Sequence, residues 1–295
     1  MNSSKIIQKI ALGSVQFGLD YGISNITGQV KYNEVVEILQ LANKSGMDTI
    51  DTAITYGDSE KVLGEIGIHD WKIISKLSAL PEDKNDINAW VNAQVSGSLQ
   101  RLGINQLYGL MLHRPDQLFE SRGKELYRAL ITQQEHSEVN KIGVSIYSPD
   151  ELERLFDEMH FDIVQAPFSI LDQRLIDSGW ARRLKQQGVE LHVRSIFLQG
   201  LLLMPASLRP VKFGRWQNVW QEWDRWLDES SLTPLEACLR YITTIKEIDK
   251  VVIGVDSLEQ LRQILAISST PLTSLPNWPN DIDVSLLNPA RWDQL

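Results

Sequence analysis

Short apolar runs with strand character alternate along the whole chain with longer stretches in which apolar residues recur every three or four positions. Continuous apolar runs suit strands buried on both faces, and the longer recurrence suits helices with one buried stripe. The predicted strands are Lys9–Leu12, Thr49–Asp51, Lys72–Ser75, Leu107–Leu112, Lys141–Val144, Ile163–Gln165, Glu190–Arg194 and Lys250–Ile253. Between them the helical period predicts helices such as Glu34–Ser45, Ile87–Leu102, Glu151–Met159, Leu175–Gln187, Pro234–Ile245 and Leu258–Ile267. Ser148-Pro149-Asp150, Thr233-Pro234 and Asp256-Ser257 supply capping side chains or a proline where three of these helices begin.

Strict strand–helix alternation requires parallel strands and right-handed crossovers, and eight such units close most simply into an α/β barrel, the (β/α)8 or TIM fold. A doubly wound open sheet is the competitor. Against it, no Gly-x-Gly-x-x-Gly turn follows the first strand, and no phosphate-binding Gly-x-x-x-x-Gly-Lys-Ser/Thr loop occurs. Residues 1–295 read as one domain. Met204–Ser230 and the tail Thr270–Leu295 break the repeat and are expected at the barrel mouth or rim. Trp216, Trp220, Trp223 and Trp226 fall on one face of a helix, where packing against the barrel is expected. Pro271, Pro276, Pro279 and Pro289 make the tail an ordered but irregular segment.

Composition narrows the function. With 29 basic and 38 acidic residues the net charge is -9, and no block of like charge interrupts the chain, so nucleic acid and anionic membranes are poor partners. Cys238 is the sole cysteine, which excludes an intrachain disulfide and a cysteine-built metal site; no metal is expected. The apolar patch Ile6–Leu12, broken by Gln8 and Lys9, is too brief for a secretion signal, so a cytoplasmic location is expected. Asn-x-Ser/Thr triplets, those at Asn2 and Asn25 among them, are then coincidental.

A parallel barrel builds its site at the C-terminal ends of its strands. Asp51 ends the second predicted strand, Lys76 directly follows the third, His113 directly follows the fourth, and Tyr56 lies in the loop after Asp51. A tyrosine hydroxyl is a weak acid at neutral pH, and a neighbouring ammonium favours its phenolate; Asp51 would keep Lys76 charged, and His113 would hold a carbonyl oxygen. No side chain supplies hydride, which points to a nicotinamide. His69, His136, His160 and His192 have no companion at ligand spacing and read as surface or core residues, Cys238 as a buried apolar one, and the Glu34/Glu37 and Glu151/Glu153 pairs as solvated helix faces.

These residues sit in motifs that resemble the aldo-keto reductases. The resemblance runs through Leu12-Gly13-Ser14-Val15-Gln16-Phe17-Gly18, Ile50-Asp51-Thr52-Ala53-Ile54-Thr55-Tyr56-Gly57-Asp58-Ser59-Glu60, Lys76, Leu112-His113-Arg114-Pro115-Asp116, Gly143-Val144-Ser145 and Val164-Gln165-Ala166-Pro167-Phe168, covering roughly residues 9 to 267. It implies a tetrad of Asp51, Tyr56, Lys76 and His113 with Tyr56 as general acid, and NADP or NAD as cofactor. It further implies that Ser145 and Gln165 bind the nicotinamide carboxamide, and that Arg194-Ser195-Ile196-Phe197-Leu198-Gln199-Gly200 runs along the cofactor. Arg194 replaces the aromatic residue many members stack on the nicotinamide, a role its planar guanidinium can take. Ile146 replaces the asparagine many members carry after the serine. Gly254-Val255-Asp256 and the following helix correspond to the segment that takes the adenosine end. Val255, Asp256 and Leu261 stand where NADP-selective relatives present lysine, serine and arginine, with Arg262 the nearest cation, so both cofactors remain open.

The function expected is hydride transfer between a nicotinamide and a small aldehyde or ketone. The polar rim residues Gln16, Asp20, Tyr21, Asp58, Arg114 and Asp116 favour a hydroxylated, sugar-like carbonyl. Two alternatives are a non-catalytic barrel subunit that senses nicotinamide, and an epimerase or lyase with Lys76 as base. Oligomeric state is left open.

Overall fold

The eight predicted strands all form, and they pair in chain order as a closed parallel barrel. They are β1 (Ile10–Gly13), β2 (Thr49–Asp51), β3 (Lys72–Leu77), β4 (Leu107–Leu112), β5 (Val139–Ser145), β6 (Ile163–Pro167), β7 (Glu190–Arg194) and β8 (Lys250–Gly254). The computed structural model describes residues 7–268, 270–279 and 282–295, so Asn2 lies outside the described residues. β1 closes the barrel against β8 with Gly13 opposite Gly254, and pairs with β2 with Gly13 opposite Asp51. Among the described residues, no helix is long and apolar enough to cross a membrane.

Alternation along β3 sorts its side chains into levels of the barrel interior, because successive residues of a strand point to opposite faces. Lys72 lies low, over the Tyr108 ring at 5.5 Å. Ile74 packs midway with Met111 and Ile163 in a small buried cluster, and Lys76 reaches the top, where it meets Asp51. The much larger core fills the space between barrel and helices.

The elements depart from expectation in three places. Lys76 lies within β3, which continues past Ser75 to Leu77, and Ser145 likewise lies within β5. The single helix expected over Leu175–Gln187 is two, Arg174–Asp177 and Trp180–Gln186, because Gly179 between them takes a left-handed conformation with φ of 78°. Two further helices, Ser59–Ile66 and Gly123–Glu135, follow β2 and β4.

At the rim, Trp220, Trp223 and Trp226 of the Gln217–Ser230 helix are buried, and Trp223 stacks on Trp226 and on Trp278 of the tail. The tail folds back through a short Val284–Leu287 helix and a 3-10 turn over Pro289–Gln294, whose Trp292 packs edge-on against Phe213. Residues 280 and 281 of that predicted irregular segment lie outside the described residues. Thr233 caps the Pro234–Thr243 helix in a reciprocal box with Glu236, and Ser257 caps Leu258–Ala266.

Candidate active site

Asp51, Tyr56, Lys76 and His113 converge at the C-terminal end of the barrel. Asp51, Tyr56 and His113 line a cavity of about 630 Å³, while Lys76 lies buried beneath them. Lys76 Nζ donates to Asp51 Oδ1 at 2.5 Å and to the carbonyl of Thr52 at 2.9 Å. The second carboxylate oxygen of Asp51 accepts from Gln165 Nε2 at 2.7 Å. The Tyr56 ring then stands between two partners, 5.2 Å from Lys76 Nζ and 6.1 Å from the His113 ring, which it meets nearly edge-on at 73°.

Burial and charge pull these groups in opposite directions. Burial alone would push the Lys76 ammonium toward its neutral form, but the charge of Asp51 and the hydrogen bond to it outweigh burial and raise the lysine above its ordinary value. His113 is lowered to about 4, first by burial and then by the positive charges of Lys76 and Arg194. At neutral pH the site therefore holds Lys76 as an ammonium and His113 as a neutral imidazole. A neutral imidazole can donate one N–H to a carbonyl oxygen without bringing a second cation beside Lys76.

The loop carrying Tyr56 is held by close backbone packing. The amide of Tyr56 donates to the carbonyl of Ala53, and the Tyr56 carbonyl accepts from the amide of Ser59, each at 3.0 Å. Ser59 Oγ reaches Ser14 at 2.8 Å, tying the loop to β1. Glu60 follows, almost fully buried, and accepts from Ser75 Oγ and Ser98 Oγ at 2.7 Å each and from Arg101 Nε at 2.9 Å. Ser75 is the neighbour of Lys76 in β3, so Glu60 fastens the Tyr56 loop to the strand that presents the lysine.

Of the residues expected to face a cofactor, Gln165, Arg194, Ser195, Gly200, Gly254 and Asp256 line the cavity. Ser145 is buried just below it, with its hydroxyl 3.3 Å from Gln165 Oε1. Arg262 is not brought in; it is exposed and pairs with Glu259 at 3.7 Å. Arg194 donates to the carbonyl of Ile146 at 3.0 Å and lies over the Tyr147 ring at 4.9 Å. Ser195, Leu198 and Gln199 take left-handed conformations rare for residues with a side chain, and Gly200 follows at φ of 92°. Such strain concentrates where a backbone must follow a ligand.

Of the polar residues expected at the rim, Gln16 and Tyr21 line the cavity. Arg114 and Asp116 pair with each other on the surface. Asn25 accepts from the amides of Thr27 and Gly28 and so shapes the rim loop after β1. Tyr147, Gln199 and the tail residues Asn288, Pro289 and Ala290 also line the cavity. Tyr147 was recoverable from its place two residues after the end of β5; the tail was expected at the mouth, but nothing in the pattern marked which of its residues reach the cavity.

The cavity is long, running from His113 and Tyr147 to Gln263, Ile264 and the tail turn. A nicotinamide dinucleotide fits what lines it. Gly254 leaves room for the Gln16 carboxamide, since a Cβ there would stand 2.5 Å from Gln16 Oε1. Among the described residues, the buried Gln16 Oε1 on this wall receives no hydrogen bond and is left for a ligand's donor.

The chain is 26% identical over 268 residues to the NADH-specific methylglyoxal reductase of Escherichia coli (strain K12), covering 78% of this chain and 81% of that one. It is 27% identical over 199 residues to the glyoxal reductase of Bacillus subtilis (strain 168), covering 66% and 69%. Its fold matches an aldo-keto reductase of Bacillus halodurans, solved in its holo form, with a TM-score of 0.70 at 20% identity over 90% of this chain and 88% of that one. The family model for aldo/keto reductases matches residues 9–275, and the chain belongs to that family.

Proposed function

We propose that this chain transfers hydride between a nicotinamide dinucleotide and the carbonyl of a small aldehyde or ketone, with Tyr56 as the proton donor. The observation that carries the reading is the Tyr56 ring set at the cavity between the buried Lys76–Asp51 pair and the neutral His113 ring.

The dinucleotide, when bound, supplies the hydride; Ser145 and Gln165 would hold its carboxamide, and Arg194 to Gly200 and Gly254 to Asp256 would hold the remainder. The protein's part is the proton. In reduction, the Tyr56 hydroxyl passes its proton to the carbonyl oxygen as negative charge develops there, and the phenolate left behind is stabilised by the Lys76 ammonium. Asp51 keeps that ammonium charged, and Gln165 and Thr52 fix the geometry of the pair. His113, held neutral, donates to the same carbonyl oxygen and orients it.

The names of the two relatives make glyoxal and methylglyoxal the first carbonyls to test, and the mixed polar and aromatic mouth formed by Tyr21, Tyr147 and Arg194 suits small, oxygen-rich substrates. Incubation with methylglyoxal and reduced nicotinamide deuterated on its transferable carbon tests the reading. Deuterium on the product's carbinol carbon is expected. Product without deuterium, or turnover without any dinucleotide, favours the lyase alternative, and binding without turnover of any carbonyl favours a sensing subunit.

A further inference from the structure

The chemistry end of the cavity holds more positive charge than it balances. Lys76 Nζ is matched by Asp51 at 2.5 Å, but the second cation there, Arg194, has no carboxylate partner among the described residues. Its guanidinium donates to the carbonyl of Ile146 at 3.0 Å and to Ser195 Oγ at 3.3 Å, and it lies over the Tyr147 ring at 4.9 Å, all neutral groups. A guanidinium does not lose its proton in a protein, so this positive charge is permanent.

Backbone contacts fix where that charge sits. Ile146 directly follows Ser145, and its amide donates to the carbonyl of Gln165 at 2.9 Å. Through its bond to Ile146 the guanidinium is therefore fastened beside the Ser145 and Gln165 pair. The site already registers the resulting field: His113 is lowered to about 4, first by burial and then by the positive charges of Lys76 and Arg194. The same field opposes any other group that gains positive charge in this space, where little water screens it. A nicotinamide is such a group, because its reduced ring is neutral and its oxidised ring is a cation.

Resting on the dinucleotide reading above, we propose that the unpaired Arg194 guanidinium makes the site discriminate the redox state of the ring, so that the reduced dinucleotide is held more tightly than the oxidised one. The two forms share every phosphate, ribose and adenine group, so the discrimination arises at the ring alone and is independent of which dinucleotide the remote end prefers. Its consequence is directional. In carbonyl reduction the oxidised product leaves readily, and the site refills with the reduced form even where both are present.

The test is binding rather than turnover. Full-length protein is titrated calorimetrically with NADH and NAD+ and with NADPH and NADP+, and the ratio of affinities is taken within each pair. The titrations are repeated for Arg194→Gln, which removes the charge but keeps an N–H for Ile146, and for Arg194→Lys, which keeps the charge; circular dichroism checks each fold. The wild type is expected to bind the reduced form at least tenfold more tightly. Arg194→Gln should cut that ratio at least fivefold, chiefly by strengthening the oxidised form, while Arg194→Lys should hold it within about threefold. In unaltered protein, the analogue of the preferred oxidised dinucleotide with an uncharged benzamide ring should bind more tightly than that dinucleotide. A ratio that Arg194→Gln leaves unchanged, a ratio that Arg194→Lys loses as fully as Arg194→Gln does, or a benzamide analogue that gains nothing would overturn the proposal and leave the dinucleotide reading in place. Binding of no dinucleotide to folded wild type would remove both.

Discussion

Gly18 packs so closely on the loop bearing the proton donor that a Cβ at Gly18 would lie 1.9 Å from the carbonyl oxygen of Tyr56. Gly57 returns the contact: it holds φ of 54°, and its own Cβ would lie 2.4 Å from the Gly18 carbonyl. Backbone against backbone leaves no flexible side chain to yield, so the two glycines set how far Tyr56 projects into the cavity. Gly18→Ala is expected to lower kcat by roughly a hundredfold, the loss that follows a displacement of about an ångström at a reacting group. Kinetics beside a far-ultraviolet circular dichroism spectrum checks this; unchanged kcat in a folded variant would show that the loop takes up the extra methyl elsewhere.

The lowering of His113 to about 4 has a sign that can be measured. The unfolded chain takes up a proton at this residue below its ordinary value of 6.5, whereas the folded chain resists until about 4. The unfolded state thus binds more protons across that window, and folding stability contributed here is lost as pH falls from about 6.5 to about 4. For catalysis the expectation is that kcat/KM has no acidic break near 6.5 and falls only as pH approaches about 4. A break near 6.5 that disappears in His113→Gln would contradict the neutral-imidazole assignment.

Glu60 acts on the site without touching the cavity. Its carboxylate collects two serine hydroxyls and a guanidinium, and through Ser75 it joins the Tyr56 loop to the strand of Lys76. Both hydroxyls donate to one carboxylate oxygen and the guanidinium to the other, so replacement by Gln can keep the serine bonds but turns an amide NH2 toward Arg101, which loses its acceptor and its counter-charge. The expected cost is about 1–3 kcal/mol of stability, together with a fall in kcat and little change in KM. Thermal melts and steady-state kinetics separate the two effects; a loss of stability with kcat intact would make Glu60 a fold anchor only.

The bottom of the barrel makes a separate prediction. Burial would raise the carboxyl of Glu190, but hydrogen bonds from His192, Lys141 and Tyr108 outweigh it and lower it from 4.5 to about 2. A depressed carboxylate stabilises the fold above its unfolded value and loses that contribution as pH falls toward its folded one. The stability difference between wild type and Glu190→Gln is therefore expected to be constant above pH 4.5 and to shrink between 4.5 and about 2, measured by urea denaturation across that range. A difference that stays flat through the window would refute the assignment.

Most of the barrel could be read in the sequence because its signal is local. Each strand is a short apolar run whose chain-order pairing follows from the alternation, and all eight are found within a few residues of their expected limits. The tetrad was legible for the same reason, since Asp51, Lys76 and His113 are fixed by strand ends. What escaped depends on tertiary packing. Gly179 breaks a helix whose apolar period continues through it. Tyr147 lies under Arg194 only because β5 and β7 bring them together. Asn288 and Pro289 reach the cavity because Trp292 seats the tail against Phe213, a contact between residues far apart in the chain. Asp256 was visible as a carboxylate, while its place on the cavity wall required coordinates.

The central claim is that Tyr56 donates the proton that accompanies hydride transfer, and replacing it by Phe removes that one hydroxyl while leaving the ring. The most direct measurement is the rate of reduced-nicotinamide oxidation in a single turnover with methylglyoxal, for wild type and Tyr56→Phe, with dinucleotide affinity recorded in parallel. The account predicts a loss of roughly 10²- to 10⁴-fold in the hydride-transfer rate, the usual contribution of a general acid, with dinucleotide affinity unchanged. A loss smaller than about tenfold, against that usual range, would contradict it and assign the proton to another donor at the cavity.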